Sequence, residues 1–272
     1  MEEKFHLSQR CVAEALGTAL LVLVGPGSVV ATINLDGLLA KKPVAFFSGG
    51  DLLGIAFAFG LVIAALVYSI GKVSGCHINP AVTFGLALTK RFPWAEVPAY
   101  WAAQVVGAVV GALVIWAAFG HSAILAGMGQ TSLHAVGDGG THLFSTAQGA
   151  IAEGVGTALL MFAILGIVDG RSPGDLAGLV IGGVVIAIIM ALAPITGASL
   201  NPARAFGPEL VEALGKGGVT HWGQLIPVYI VPGVVGAGLA AVFYDWIAKP
   251  RLVVMPIGEA VTHPDAPVHA GD

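Results

Sequence analysis

The chain has 272 residues, 56% hydrophobic and only 10% charged, where soluble domains carry about 25% charge. A net charge of -4 with no block of like charge excludes nucleic acid and acidic substrates as partners, and two cysteines, Cys11 and Cys76, allow at most one disulfide and no cysteine-built zinc site. So much apolar side chain cannot be hidden in one water-soluble core; the solvent this sequence is written for is a bilayer.

A hydrocarbon core of about 30 Å needs roughly 20 apolar residues per helix. Runs of that kind occur at Cys11–Ile33, Leu52–Ile70, Val97–Phe119, Ala147–Val168, Leu176–Leu192 and Leu225–Ile247. The first is too long for a signal-peptide core and is followed by no clear cleavage pattern. Six spans place both termini on one side. Lys4, Arg10, Lys72, Lys90, Arg91, Arg171, Lys249 and Arg251 fall on that side, against Lys41, Lys42 and Lys216 on the other. Basic residues collect in cytoplasmic loops, so the expectation is a multi-pass protein of the plasma membrane with both termini cytoplasmic. The fold class expected is an all-α membrane protein with one channel domain over residues 1–249, followed by a disordered cytoplasmic tail over 250–272.

The two halves repeat each other, one over about 10–120 and the other over about 146–248. Ala13 to Leu21 recurs as Ala152 to Leu160 with seven identities in nine positions. Ser74-Gly75-Cys76-His77-Ile78-Asn79-Pro80-Ala81 returns as Thr196-Gly197-Ala198-Ser199-Leu200-Asn201-Pro202-Ala203. Glu14 and Glu153 are 139 positions apart but Asn79 and Asn201 only 122, so the first half carries about 17 extra residues, assigned to the Ile33–Gly50 loop. With three spans per repeat, the second copy enters the membrane upside down, which places a solute path at the midplane.

Asn followed by Pro is a helix start, with Asn as the N-cap and Pro at the first helical position. Alone it means little. Here both copies follow a span and a Gly-containing turn, and each precedes an apolar stretch too short to cross, Val82–Leu88 and Ala203–Leu214. These read as re-entrant half-helices whose N-termini meet near the centre, bringing their positive dipole ends and the amides of Asn79 and Asn201 together. The turns Gly75-Cys76-His77 and Gly197-Ala198-Ser199 then offer carbonyls along a narrow passage, a track for neutral molecules bearing O–H groups. Arg204 follows Asn201 by one helical turn on the same face. A charge inside an apolar protein costs several kcal/mol unless it faces water or a partner, which makes Arg204 a functional candidate.

On these motifs the chain resembles the aquaporin family, the major intrinsic proteins, from about Arg10 to Ile247. The resemblance implies six transmembrane helices plus two half-helices, a passive channel for water and small uncharged solutes such as glycerol, exclusion of protons and ions, no cofactor, no enzymatic activity, and a homotetramer with one pore per subunit. It implies that Asn79 and Asn201 are the donors at the pore midplane. It also implies an outer selectivity ring of Phe59, Ile189, Ala198 and Arg204. Water-selective members usually carry His at the place of Ile189, and glycerol facilitators usually carry Trp and Phe with Asp after the Arg. Here Ile189, and Ala205 after Arg204, match neither pattern fully and resemble archaeal aquaporins. An aliphatic ring predicts water first, with passage of small uncharged solutes.

Glu14 and Glu153 stand at equivalent places within spans. They are expected to accept backbone N–H groups from the two pore loops, the competing reading being a proton relay. His77 is expected to line the pore or satisfy a hydrogen bond. His121, His134 and His142 have no recognised ligand spacing, and no metal site is expected. Cys76 stands either as a mercurial target in the pore or as an inert packed thiol. Gly107 with Gly111, and Gly178 with Gly182, permit close helix crossings within a subunit or between subunits. A transporter would show more paired membrane carboxylates and basic residues, and an enzyme a catalytic constellation that Arg204, His77 and the two Glu residues do not form.

Overall fold

The computed structural model describes residues 5–40, 48–133, 135–136 and 141–249. Lys4, Lys41, Lys42, His134, Arg251 and the tail expected over 250–272 lie outside the described residues.

Six helical segments are long and apolar enough to cross a membrane: Leu7–Leu35, Gly49–Ser74, Trp94–Phe119, Thr146–Val168, Gly174–Thr196 and Trp222–Ala248. In chain order the helices are α1 (Leu7–Ala40), α2 (Gly49–Ser74), α3 (Pro80–Leu88), α4 (Val97–Phe119), α5 (His121–Leu125), α6 (Thr146–Val168), α7 (Ala177–Thr196), α8 (Pro202–Leu214), α9 (Trp222–Gln224) and α10 (Val231–Ala248). A π-helical stretch, Leu225–Ile230, joins α9 to α10. Ala135–Val136 and Thr141–His142 form a two-residue antiparallel pair in the long connection after α5.

The short helices α3 and α8 begin at Pro80 and Pro202, each with the preceding Asn in an extended conformation as N-cap. Proline at N1 gives up an N–H that no carbonyl of the helix could accept, so the Asn-Pro pair starts a helix on both counts. At 9 and 13 residues these helices span about 14 and 20 Å, well under a bilayer. Helix α1 runs seven residues past the expected end of its span at Ile33, to Ala40. Part of the segment expected as loop is therefore helix.

The spans pack in pairs, α1 on α4, α6 on α10 and α2 on α7. Small residues make the approach possible. A Cβ on Gly107 would strike the carbonyl oxygen of Ala15, and one on Gly60 would come within 2.6 Å of the carbonyl oxygen of Gly182. Gly111 meets Ala19 in the same way, and Gly178 meets the ring of Tyr68. Both glycine pairs noted in the sequence are thus used inside one chain. Large apolar side chains such as Leu61, Val106, Ile151, Leu179 and Leu239 remain exposed on the outer face of the bundle, as a lipid-facing surface requires.

One end of the bundle is tied by ion pairs: Arg91 to Asp245 at 2.7 Å, Arg171 to Asp169 at 2.6 Å, and Arg10 to Glu96 at 2.7 Å. Arg171 also donates to the carbonyl of Ala248. The segments after α3 and α6 and the end of α10 therefore share this face with the start of α1.

Candidate pore

The two pore loops are built on one plan. Glu14, fully buried on α1, accepts the Ser74 hydroxyl (2.7 Å) and the His77 N–H (2.9 Å) at Oε1, and the Ile78 N–H (2.6 Å) and the Gln104 amide (2.8 Å) at Oε2. Glu153, fully buried on α6, accepts the Thr196 hydroxyl (2.6 Å) and the Ser199 N–H (2.9 Å) at Oε1, and the Leu200 N–H (2.7 Å) at Oε2. Ser74 and Thr196 in turn accept the N–H groups of Cys76 and Ala198. A buried carboxylate is tolerable only when its lone pairs are taken up, and here each is taken up by the irregular backbone that most needs an acceptor.

That arrangement decides where the carbonyls go. In a trans peptide the N–H and the preceding C=O point in opposite directions. The N–H groups of Cys76, His77 and Ile78 face the Ser74–Glu14 side, so the carbonyls of Gly75, Cys76 and His77 face away from it. The same holds for the carbonyls of Gly197, Ala198 and Ser199. The chain reaches this shape through left-handed backbone at Gly75, Cys76 and Ile78 (φ 88°, 50° and 41°) and at Gly197, Ala198 and Leu200 (φ 80°, 45° and 56°). Four of those are not glycine. Each such residue costs on the order of 1 kcal/mol or more and persists because the surroundings determine it.

At the centre the halves lock together. Asn79 Nδ2 donates to the Leu200 carbonyl and Asn201 Nδ2 donates to the Ile78 carbonyl, both at 2.8 Å. Their Oδ1 atoms cap the helices, Asn79 accepting from Ala81 N–H and Asn201 from the N–H groups of Ala203 and Arg204. Both N-termini, with their partial positive charge, thus point to one place.

A cavity runs past this point. Its wall includes Gly75, Cys76, His77, Ile78 and Asn79 from the first loop and Ala198, Ser199, Leu200 and Asn201 from the second, opposite apolar side chains such as Leu21, Ile63, Val82, Leu160 and Val185. Gly197 is not among the wall residues; its free side is closed by Thr131, whose Cγ2 would lie 3.0 Å from a Cβ there. Beyond the two Asn residues the cavity meets Phe59, Ile189, Ala198 and Arg204 together. Arg204 is 2% exposed, its Cζ lies 5.3 Å from the centre of the Phe59 ring, and its Nη2 donates to the Gly129 carbonyl at 3.1 Å. Its Nε and Nη1 have no protein partner. The ring of Phe59 fits because residue 25 is glycine, where a Cβ would strike the ring.

His77 is buried on the wall, with Nδ1 3.2 Å from the Thr83 hydroxyl and its ring against Phe92 and Tyr100. Cys76 is a buried free thiol on the same wall, and Cys11 is free and half-buried. Among the described residues no group of three or more His, Cys, Asp or Glu comes together to hold a metal.

Five contributors escaped the sequence reading. Gln104 donates one amide group to both Glu14 and Thr83, at 2.8 and 3.0 Å; a lone amide in the middle of the third span was its visible signal. Tyr100 and Tyr229 donate to the carbonyls of Ser74 and Thr196, one for each loop. Tyr229 sits in the π-helical stretch, whose only sequence mark is the prolines at 227 and 232. Gly129 and Gln130 carried no signal at all.

Six apolar helices, two half-helices meeting at their N-termini and a cavity through the middle define a membrane channel. Comparison with known proteins agrees. Residues 1–244 match the family model for major intrinsic proteins. The chain is 43% identical over 253 residues to a probable aquaporin AqpM of Archaeoglobus fulgidus and 42% identical over 251 to aquaporin AqpM of Methanothermobacter marburgensis, covering 89% of this chain and 98% of each relative. It is 34% identical over 267 residues to the glycerol uptake facilitator protein of Bacillus subtilis, covering 90% of this chain and 91% of that one. Among solved structures it is similar to the aquaglyceroporin from Plasmodium falciparum, with TM-score 0.72, 26% identity, and coverage of 90% and 98%. The chain belongs to the major intrinsic protein family. It is an integral multi-pass membrane protein, a passive channel for water and small solutes, and not an enzyme.

Proposed function

We propose that water is the preferred solute and that protons and ions are refused. The observation that carries this reading is the pair of crossed Asn–carbonyl bonds. Each amide has one N–H engaged with the opposite loop and a second N–H left for the passage. A water held by both amides has its oxygen lone pairs taken, so it accepts no proton from its neighbour, and the two helix ends repel cations. Glu14 and Glu153 hold the loops in place, which favours a structural role over a proton relay.

Phe59, Ile189, Ala198 and Arg204 form the selectivity ring in this reading, with Arg204 as its polar side. Three apolar members leave a solute one face to hydrogen-bond and one to slide along, which suits water and admits a small polyol such as glycerol. The carbonyls of Gly75, Cys76, His77, Ala198 and Ser199 continue the track; Gly197 contributes a carbonyl that the cavity wall does not include. The excess of basic residues beside the termini supports a plasma-membrane orientation with both termini cytoplasmic. The family resemblance supports a homotetramer with one pore per chain.

Stopped-flow light scattering on proteoliposomes tests the solute order. A sucrose step reads water, a glycerol step reads glycerol. Ile189→His should lower the glycerol flux and keep the water flux; a rise in glycerol flux would remove Ile189 from the ring.

A further inference from the structure

The guanidinium of Arg204 is held by one backbone carbonyl, that of Gly129, and the way that carbonyl is itself held is unusual. Gly127, Met128 and Gly129 all have left-handed backbone, with φ of 65°, 52° and 64°. Such a turn is not the preferred shape of the isolated chain, least of all for Met128, so its position is imposed from outside. Met128 is fully buried in a cluster with Val22, Ile115, Ala203 and Val211, which anchors one side. Gly129 lies against the backbone of Pro26 on α1, where a Cβ would strike the carbonyl oxygen.

The other side is tied by hydrogen bonds. Gln130 Nε2 donates to the Val219 carbonyl at 2.6 Å, and Val219 N–H donates to Glu212 Oε1 at 3.0 Å. Glu212 is 1% exposed and stands on α8, the half-helix that carries Arg204. Glu209, one turn before it, accepts the His221 N–H and fixes the far end of the same loop. The contacts form a closed circuit: Arg204 to Gly129, Gln130 to Val219, Val219 to Glu212, and back along α8 to Arg204. Two carboxylates buried in the last turns of a half-helix are costly unless they hold something. What they hold is the loop that braces the carbonyl to which Arg204 donates, its one protein acceptor among the described residues.

We propose that Gln130 and Glu212 are positioning residues for the selectivity ring, setting where the Arg204 guanidinium stands across the passage and thereby how strictly the channel prefers water to glycerol. The proposal rests on the reading of Arg204 as a ring member. Slackening the brace lets the guanidinium swing toward the wall and widens the opening without touching the Asn79–Asn201 centre.

The test is the glycerol-to-water permeability ratio in proteoliposomes of the full chain, measured for the wild type, Arg204→Val, Gln130→Ala, Glu212→Ala and Glu212→Gln. Gln130→Ala and Glu212→Ala should raise the ratio severalfold, in the direction of Arg204→Val, and should add nothing further in an Arg204→Val background. Glu212→Gln keeps an oxygen acceptor for Val219 and should restore a ratio within twofold of the wild type. A merely structural role would lower both fluxes together and leave the ratio where it was. If Glu212→Ala does not fold, Gln130→Ala decides, because that side chain lies half-buried on a loop. A wild-type ratio in Gln130→Ala, with Arg204→Val shifted, overturns the proposal and keeps the ring. An unshifted Arg204→Val removes the ring itself, and the proposal with it.

Discussion

Asn79 and Leu200 stand 121 positions apart in the chain, yet the amide of one donates to the carbonyl of the other at 2.8 Å. The bond joins the first pore loop to the second, and Asn201 returns it to Ile78. The same two asparagines start the half-helices. One residue type thus caps both half-helices and ties the two loops to each other.

Replacing Asn79 by Ala removes a cap, worth about 1 kcal/mol, and leaves the buried Leu200 carbonyl without its amide, worth about 1 to 3 kcal/mol more. The variant should melt at lower temperature in detergent, followed by circular dichroism. An unchanged melting temperature would mean the crossed bonds contribute nothing to the fold.

Glu14→Gln puts two N–H donors where four donors now converge. Hydrogen bonds to a charged group are each worth about 1.5 to 3 kcal/mol, so the loss should exceed that of Asn79→Ala. Glu153→Gln should behave alike, with three donors to lose. The folded monodisperse fraction in size-exclusion chromatography measures it.

Gly107→Val forces a side chain onto the Ala15 carbonyl, where backbone cannot yield. Overpacking of this kind costs about 1 to 3 kcal/mol and should lower the folded yield, whereas Gly54→Val, where nothing lies within 4 Å, should not. Equal yields would contradict the α1–α4 packing.

Arg171 beside Asp169 holds that carboxyl below the usual carboxylate range, chiefly by hydrogen bonds. A depressed carboxylate lends stability that is present above its unfolded value of about 3.9 and lost as pH falls through the lower folded value. Between pH 5 and 8 the pair therefore contributes in full, and the wild type should melt above Asp169→Asn by a margin that does not change with pH. Below about pH 4 the wild type should converge on Asp169→Asn; divergence there would contradict the pairing.

The fold was legible because a bilayer imposes its demands residue by residue. Twenty apolar residues mark a span, and Asn-Pro marks a helix start wherever it occurs. The repeat in Ala13–Leu21 and Ala152–Leu160 pointed to Glu14 and Glu153, since a carboxylate in a span must have a reason. Helix ends were less legible: Asp36-Gly37 is a local turn signal, yet α1 continues through it to Ala40. Least legible were contacts between segments remote in sequence. Gly129 meets Arg204 through a backbone carbonyl, which every residue possesses, so no side chain could announce it. Tyr100 and Tyr229 went unread for the same reason: their hydroxyls act on the backbone carbonyls of Ser74 and Thr196, 26 and 33 positions away.

In the proposed function the Asn79–Asn201 centre passes water and stops protons. Proteoliposomes loaded with a pH-sensitive dye, given an osmotic step and then a pH step with the membrane potential clamped, read both fluxes on one preparation. Water should equilibrate well ahead of empty vesicles while the pH gradient decays no faster than in them. Water flux equal to that of empty vesicles, or a pH gradient that collapses with the water flux, would contradict it.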